Sequence, residues 1–166
     1  MSTLFSGGCA CGAVRYECTV KPLVAWTCHC RDCQRASGSA FCAVLYLPRA
    51  ALTSTGASKD YPVTVPSGQV VSRGFCPECG SPVFVKASLH PDIIGVWAGS
   101  LDDPIWYRPQ AAIWTASAQP WDTLNPRLPR FAHMPSEELL SKLALSHGSD
   151  ERAQKRRSLV REGHTA

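Results

Sequence analysis

The residues best suited to chemistry in this chain are its cysteines, because seven of the nine fall at metal-ligand spacings. They form three clusters: Cys9-Ala-Cys11, Cys28-His-Cys30-Arg-Asp-Cys33 and Cys76-Pro-Glu-Cys79. Zinc takes tetrahedral thiolate coordination, in which four thiolates close a structural site and three leave a position open to water or substrate. Seven thiolates divide into four plus three, which predicts one structural and one reactive zinc.

Two of the clusters are simple pairs. In an extended strand the side chains of Cys9 and Cys11 point to the same face and can reach one metal. Cys76 and Cys79 flank a turn typical of a zinc knuckle, with a glycine after it that can take a positive φ. Joining the pairs through one zinc would couple folding to metal binding. The alternative is two pairs of buried free thiols.

The segment from Cys28 to Cys33 can supply three ligands by itself. His29 should point away from the metal if the segment is extended, as a solvated or supporting side chain. The fourth ligand is an open question that depends on Cys42. Cys42 either closes the site with a fourth thiolate or is an ordinary buried thiol of the apolar run 41–47, which we expect. Cys18 has the pattern of a core residue.

A zinc ion held by three thiolates is a weak Lewis acid, since the thiolates are electron-rich. Such a site suits an exogenous thiol better than water, because metal coordination deprotonates a thiol and the thiolate is the reactive nucleophile. The cysteine pattern therefore predicts a carbon–sulfur bond made or broken at zinc.

The elements that must position these residues are short strands separated by Gly, Pro and Ser, which predicts an all-β domain. The strands are expected at 14–18, 23–27, 41–47, 70–75, 83–87, 93–98 and 111–114. Near the C-terminus, Ser136 has the pattern of an N-cap before a helix over 137–147. The predicted organisation is a zinc-binding domain at 1–135, followed by a C-terminal helix and a basic flexible tail within 136–166.

Composition excludes several classes of protein. No apolar run approaches a membrane span, and the N-terminus has no signal-peptide pattern. We therefore expect a cytoplasmic protein, in which thiols stay reduced and disulfides are disfavoured. The net charge of +4 is mild, and basic residues concentrate in the tail, which argues against a nucleic-acid-binding body. Oligomeric state is not determined.

Three longer motifs resemble the glutathione-dependent formaldehyde-activating enzyme family, which also contains centromere protein V. They are Gly-Gly-Cys-x-Cys-Gly-Ala-Val-Arg-Tyr at 7–16, Cys-His-Cys-x-x-Cys-Gln-Arg-x-Ser-Gly at 28–38 and Arg-x-Phe-Cys-x-x-Cys-Gly-Ser at 73–81. The resemblance implies a β-tent fold of small antiparallel sheets around zinc. It implies a structural zinc on Cys9, Cys11, Cys76 and Cys79, and a catalytic zinc on Cys28, Cys30 and Cys33. It also implies condensation of formaldehyde with glutathione, classed in reverse as a carbon–sulfur lyase.

The sequence therefore predicts a lyase-type enzyme with two Zn²⁺ per chain, acting on adducts of an aldehyde with a small thiol such as glutathione. Arg35 and Arg73 are candidates for binding an anionic substrate group, and Asp102 for orienting substrate or capping a turn. One alternative is a non-catalytic binding module with two structural zincs, the second closed by Cys42. Another is a thiol-based redox or metal sensor.

Overall fold

The computed structural model describes residues 2–65, 68–136, 138–140 and 142. Within these residues the chain forms ten β-strands and one complete α-helix. The elements are β1 (Phe5–Gly8), β2 (Arg15–Cys18), β3 (Val24–Cys28), α1 (Arg31–Ser37), β4 (Cys42–Pro48), β5 (Leu52–Thr55), β6 (Lys59–Thr64), β7 (Val70–Phe75), β8 (Pro82–Ala87), β9 (Ile93–Trp97) and β10 (Ala111–Ile113). The all-β prediction is confirmed.

The strands form two sheets. β1, β2 and β5 make a three-stranded antiparallel sheet in the order β1-β2-β5. The other seven make one sheet in the order β10-β3-β4-β9-β8-β7-β6, antiparallel except for the pair β10 and β3. The expected small antiparallel sheets are therefore represented by one small sheet and one larger, mixed sheet.

The core lies where apolar side chains of both sheets meet. Tyr16 and Cys18 alternate with the exposed Glu17 along β2 and are buried, together with Leu45 and Leu47 of β4, in one cluster. Alternation along a strand sends Leu45 and Leu47 to one face, and it sends Cys42, Val44 and Tyr46 to the other. The large sheet therefore has a core face and a second face that carries a cysteine.

A glycine in β1 leaves room for the Tyr16 ring and for the turn that follows β9. Gly7 pairs with Tyr16, and a Cβ atom at position 7 would lie 2.3 Å from the Tyr16 hydroxyl and from the Ser100 carbonyl oxygen. The Tyr16 hydroxyl lies 2.9 Å from Ser100 Oγ at this contact. Any side chain on residue 7 would force these groups apart.

Sequence patterns did not predict β1, β5 and β6. β1 contains two glycines, three of the four residues of β5 carry a hydroxyl group, and β6 contains Pro62. β6 is an edge strand, where the missing N–H of a proline is tolerated. These strands are held by pairing with their neighbours rather than by their own propensity.

The chain divides into two compact units, Met1–Met134 and Pro135–Ala166. In the second unit the Leu139 N–H donates to Ser136 Oγ at 3.4 Å, and residues 138–140 and 142 are helical. Ser136 thus caps a helix start, as expected. Most of the helix predicted over 137–147, and the tail predicted over 149–166, lie outside the described residues. In the part of the chain that the structure describes, no helix is long and apolar enough to cross a membrane.

Candidate metal centres

The first sulfur cluster joins two turns that are distant in the sequence. The Sγ atoms of Cys9, Cys11, Cys76 and Cys79 all lie within 4.8 Å of one another. Cys9 and Cys11 lie in a turn after β1, closed by the Gly12 N–H donating to the Cys9 carbonyl at 3.2 Å, and not in the extended strand expected from their spacing. Cys76 and Cys79 lie in the turn between β7 and β8. Gly80 closes that turn with φ +74, and its N–H donates to the Cys76 carbonyl at 2.9 Å. The geometry brings together the four thiols from which the sequence predicts a structural zinc site.

The ionisation of this cluster suits a divalent cation. Hydrogen bonds from the hydroxyl and then the N–H of Ser81 lower the pKa of Cys79 to about 5. A hydrogen bond from the Val14 N–H, at 3.2 Å, lowers the pKa of Cys9. The Ala13 N–H lowers the pKa of Cys11. The Cys9 and Cys79 thiols act in the opposite direction and raise this pKa to about 12. The thiols therefore compete for protons, and only a cation lets all four become thiolates together.

The second sulfur cluster lies on the face of the large sheet opposite the core. Cys28 ends β3 and Cys42 begins β4, and the two residues are directly opposite in the antiparallel ladder. Cys33 comes from α1. The Sγ atoms of Cys28, Cys33 and Cys42 all lie within 4.8 Å of one another. These three residues define what we call the sulfur triangle.

Cys30 occupies a different position from the triangle. It is the N-cap residue of α1, and its Sγ accepts a hydrogen bond from the Cys33 N–H at 3.4 Å. It interacts with the thiols of Cys28 and Cys33, but its Sγ is not among the three that lie within 4.8 Å of one another. The Cys30 sulfur therefore lies beside the sulfurs of Cys28 and Cys33 but outside the compact group of three.

The place of Cys42 differs from what the sequence pattern favours. Cys42 is buried in an apolar strand, at 3% exposure, as expected of a core thiol. Its sulfur nevertheless faces Cys28 and Cys33 rather than apolar side chains alone. Sequence spacing carries no signal for this contact, because it depends on the register of β3 and β4, which sets Cys28 and Cys42 opposite each other across the connection that contains α1.

The second cluster also fits a cation. Hydrogen bonds from the thiols of Cys28, Cys30 and Cys42, in that order, lower the pKa of Cys33, and the positive charge of Arg73 adds to this. The Cys30 and Cys33 sulfurs raise the pKa of Cys28. The Cys28 thiol lowers the pKa of Cys42, but the Cys33 thiolate and burial outweigh this effect and raise the pKa. A second buried thiolate therefore needs a compensating positive charge, which a divalent metal supplies.

Comparison with known families decides what kind of protein carries these clusters. Residues 4–117 match the model of the glutathione-dependent formaldehyde-activating enzyme family.

The chain belongs to this family.

The resemblance seen in the sequence motifs is thereby confirmed. A crystal structure of a Rhodobacter sphaeroides protein is similar at 20% identity with a TM-score of 0.47, over 76% of this chain and 98% of that one. No curated protein is significantly similar to the chain.

His29, next to two cysteines of this formaldehyde-activating-enzyme family member, is turned away from them. The residue is 1% exposed, with Nδ1 at 3.2 Å from Asp122 Oδ2 and Nε2 at 3.3 Å from Thr27 Oγ1. The ring centroid lies 5.2 Å from that of Phe41. Burial lowers the pKa of His29, which outweighs the opposite effect of Asp122. His29 is therefore a neutral, enclosed group rather than a solvated one.

Asp102 lies with the small sheet. It forms an ion pair with Arg15 and accepts a hydrogen bond from Ser6 Oγ at 2.6 Å. Arg15 pairs with Gly8, the residue before Cys9. The Arg15 guanidinium, followed by the Ser6 hydroxyl, lowers the pKa of Asp102. Its carboxylate is thus engaged beside the first cluster, and the neighbouring Asp103 caps the 3₁₀ turn Pro104–Trp106.

Aromatic residues that the sequence did not single out face the second cluster. Tyr46 shares a face of β4 with Cys42, and its ring centroid lies 4.7 Å from that of Trp26. The Tyr107 hydroxyl donates to the Trp26 carbonyl at 3.1 Å. Burial first, and then the negative charges on Cys42 and Cys33, raise the pKa of Tyr46. Period-two alternation through Cys42, Val44 and Tyr46 was the available signal.

The two candidate arginines differ in position. Arg35 is exposed in the last turn of α1. Arg73 is half-buried in β7 and lies opposite Val85 of β8. Val85 lies opposite Gly95 of β9, and Gly95 lies opposite Tyr46 of β4. Directly opposed residues share a face, so Arg73 lies on the face that carries the second cluster. Gly95 leaves that row without a side chain between Tyr46 and Val85.

Proposed function

We propose that this protein is a zinc-dependent enzyme of carbon–sulfur lyase type, acting on adducts of a small thiol and an aldehyde. Glutathione is the proposed thiol and formaldehyde the proposed aldehyde, as the family's description suggests. The observation that carries the proposal is the second sulfur cluster, which shares a face of the large sheet with the rings of Trp26 and Tyr46, in a chain of this family. A thiolate-rich site suits thiol chemistry better than water activation.

In this proposal two zinc ions bind per chain. Cys9, Cys11, Cys76 and Cys79 hold the structural ion, and Cys28, Cys30 and Cys33 hold the catalytic one. When bound, zinc supplies a Lewis acid that favours the thiolate form of a nearby thiol. The reaction breaks the carbon–sulfur bond of an S-hydroxymethyl thiol, and the hydroxyl proton is transferred, so that a free thiol and formaldehyde result.

The protein's own residues prepare the substrate for this step. Arg73 lies on the face of the second cluster and carries a positive charge that can attract a carboxylate of the thiol substrate. Tyr46 and Trp26 pack against each other on the same face and shield part of it from solvent. Reduced solvent access strengthens the attraction between Arg73 and an anion.

Proton transfer in this proposal goes through water. His29 is neutral, enclosed and turned toward Asp122, so it does not reach the substrate. The carboxylate of Asp102 is engaged by Arg15 and Ser6. His29 and Asp102 are therefore both engaged by other side chains, and solvent is left to exchange the proton.

We also propose that the protein works in the cytoplasm. Each of its nine cysteines is free, a state that reducing surroundings preserve. The proposed partner is a small thiol or its adduct, without nucleic acid or membrane. Residues 1–135 are the proposed zinc domain, and residues 136–166 the proposed helix and basic tail.

The test is the exchange of ¹³C-formaldehyde with glutathione, followed by NMR magnetisation transfer with and without zinc-loaded protein. We expect the protein to accelerate exchange, and the variant Cys33→Ala to lose the acceleration. Cys18→Ala is the matched control, because Cys18 is a buried thiol outside both clusters whose Sγ donates to the Val20 carbonyl at 3.3 Å. Equal exchange rates with and without protein would reject this substrate pair.

The position of Cys42 favours a second candidate function. With Cys42 facing Cys28 and Cys33, both clusters could be structural zinc sites in a non-catalytic binding module. The basic C-terminal segment would then contact the partner. This candidate predicts two tightly bound zincs and no acceleration with any thiol–aldehyde pair, whereas the enzyme proposal predicts acceleration with at least one.

A further inference from the structure

We propose that Cys42 is a thiolate ligand of the second metal, and that Cys28, Cys33 and Cys42 form the fixed part of that site. Cys30 would complete the set in the resting protein, and its release would open the coordination position that the proposed thiol substrate needs. The inference rests on the part of the proposed function that places a metal at the second cluster. It does not depend on catalysis.

The backbone places Cys42 for this role. Cys28 and Cys42 are directly opposite across β3 and β4, so their Cβ atoms point to one face at a separation of about 4.5–5.5 Å. α1 adds Cys33 on the same face, and all three sulfurs lie within 4.8 Å of one another. Two of the three positions are therefore set by sheet hydrogen bonds, which are stiffer than a loop.

The neighbours of Cys42 distinguish it from an ordinary core cysteine in the same chain. Cys18 is 0% exposed, and its thiol donates a hydrogen bond to the Val20 carbonyl at 3.3 Å. Cys42 is 3% exposed, but its neighbours include the sulfurs of Cys28 and Cys33. A buried thiol normally needs one weak partner, whereas three converging thiols are the arrangement that zinc requires.

Cys30 is held less firmly than the triangle. It lies at the N-cap of α1, where its sulfur already accepts the Cys33 N–H at 3.4 Å. It is partly exposed, as Cys33 also is, whereas Cys28 and Cys42 are buried. Removing Cys30 should therefore leave a three-sulfur site intact, and removing Cys42 should break the triangle.

The experiment is zinc X-ray absorption together with zinc counting by native mass spectrometry on the full chain. Zinc–sulfur shells lie at about 2.3 Å and zinc–oxygen or zinc–nitrogen shells at about 2.0–2.1 Å, so the sulfur count is measurable. We expect about eight zinc-bound sulfurs per chain in the native protein, from two four-thiolate sites.

Variants then rank the ligands. Cys42→Ala should weaken binding of the second zinc by more than about 100-fold, as judged by competition with a chelator. Cys30→Ala should keep two zincs and replace one sulfur by a light atom. Cys18→Ala, the matched control, should keep both zincs and all eight sulfurs.

Two results would overturn the inference. One is a native protein with seven zinc-bound sulfurs and one light atom, which needs no variant to fold. The other is a Cys42→Ala protein whose two zincs keep native affinity and native sulfur count. Both are independent of lyase activity, so failure of the exchange assay and failure of this ligand set are separate outcomes.

Discussion

The Nδ1 atom of His29 lies 3.2 Å from Oδ2 of Asp122, and side-chain exposures of 2% and 12% leave the pair almost without solvent. The pair connects the segment after β3 to the loop that follows β10. The Gln34 side-chain amide reinforces this connection, since it donates to the carbonyls of His29 and Ser117 at 2.7 and 2.9 Å. Both contacts brace the start of α1, from which Cys30 and Cys33 project.

The first prediction concerns that pair. Asp122→Ala leaves the buried His29 ring without its carboxylate neighbour, so the free energy of unfolding should fall by about 1–3 kcal/mol. Urea unfolding of zinc-loaded protein measures the loss. Asp92→Ala, at an exposed carboxylate, is the matched control and should change stability by less than about 0.5 kcal/mol. Equal stability of the two variants would show that the buried pair contributes nothing.

The second prediction concerns the first sulfur cluster. Cys79 is exposed, so replacing it with serine removes almost no apolar contact. Because its sulfur belongs to a cluster that joins the turn after β1 to the turn after β7, Cys79→Ser should nevertheless lower Tm by about 10 °C or more. Calorimetry with zinc counting tests this.

Chelation provides the control for that variant. Metal removal from the native protein, which strips both zincs, should lower Tm at least as much as the variant does. Metal removal from Cys79→Ser should lower Tm by less, because only the second zinc is left to lose. A Cys79→Ser variant that has the native Tm and one zinc fewer would show that this zinc does not stabilise the fold.

The third prediction concerns pH. Arg15 and Ser6 lower the pKa of Asp102 in the folded protein, so the unfolded chain binds a proton there at a higher pH than the folded one. The contribution of Asp102 to stability is therefore complete above its unfolded pKa of about 4, and is lost as pH falls through the lower folded pKa. The stability difference between native protein and Asp102→Asn should shrink from pH 6 to pH 3.

The size of that pH effect is small because the pair is partly exposed, and surface ion pairs contribute at most about 1 kcal/mol. Any release of zinc by acid affects both proteins, so it cancels in the difference. A difference that grows as pH falls would contradict the assignment of Arg15 as the partner.

The fourth prediction rests on the proposed function. Arg73→Met should raise KM for a carboxylate-bearing thiol such as glutathione by about tenfold or more, because a charge-assisted contact contributes about 1.5–3 kcal/mol. The same variant should leave KM for the uncharged thiol 2-mercaptoethanol unchanged. Arg35→Met, at an exposed guanidinium, should change neither value. A change of equal size with both thiols would assign Arg73 a structural role.

The sequence by itself determined those features of this protein that depend on residues close together in the chain, namely the paired cysteines, several strands and a helix start. The spacings Cys9–Cys11 and Cys76–Cys79 predicted paired ligands, since two residues of one turn stay together in any fold. Alternation along β2 and the apolar run of β4 predicted strands at nearly the observed bounds. Ser136 predicted a helix start because a capping hydroxyl acts within one turn.

Tertiary structure decided which of these local pieces meet. Nothing in the spacing of Cys42 marks it as a neighbour of Cys28, because their approach depends on the hydrogen-bond register of β3 and β4. Arg73 lies on the same face of the large sheet as the second cluster because the order and register of the strands from β7 to β4 place it there. Its distance from those cysteines in the sequence does not indicate this. Strand order and register depend on the packing of the whole chain, whereas ligand spacing depends on the covalent backbone alone.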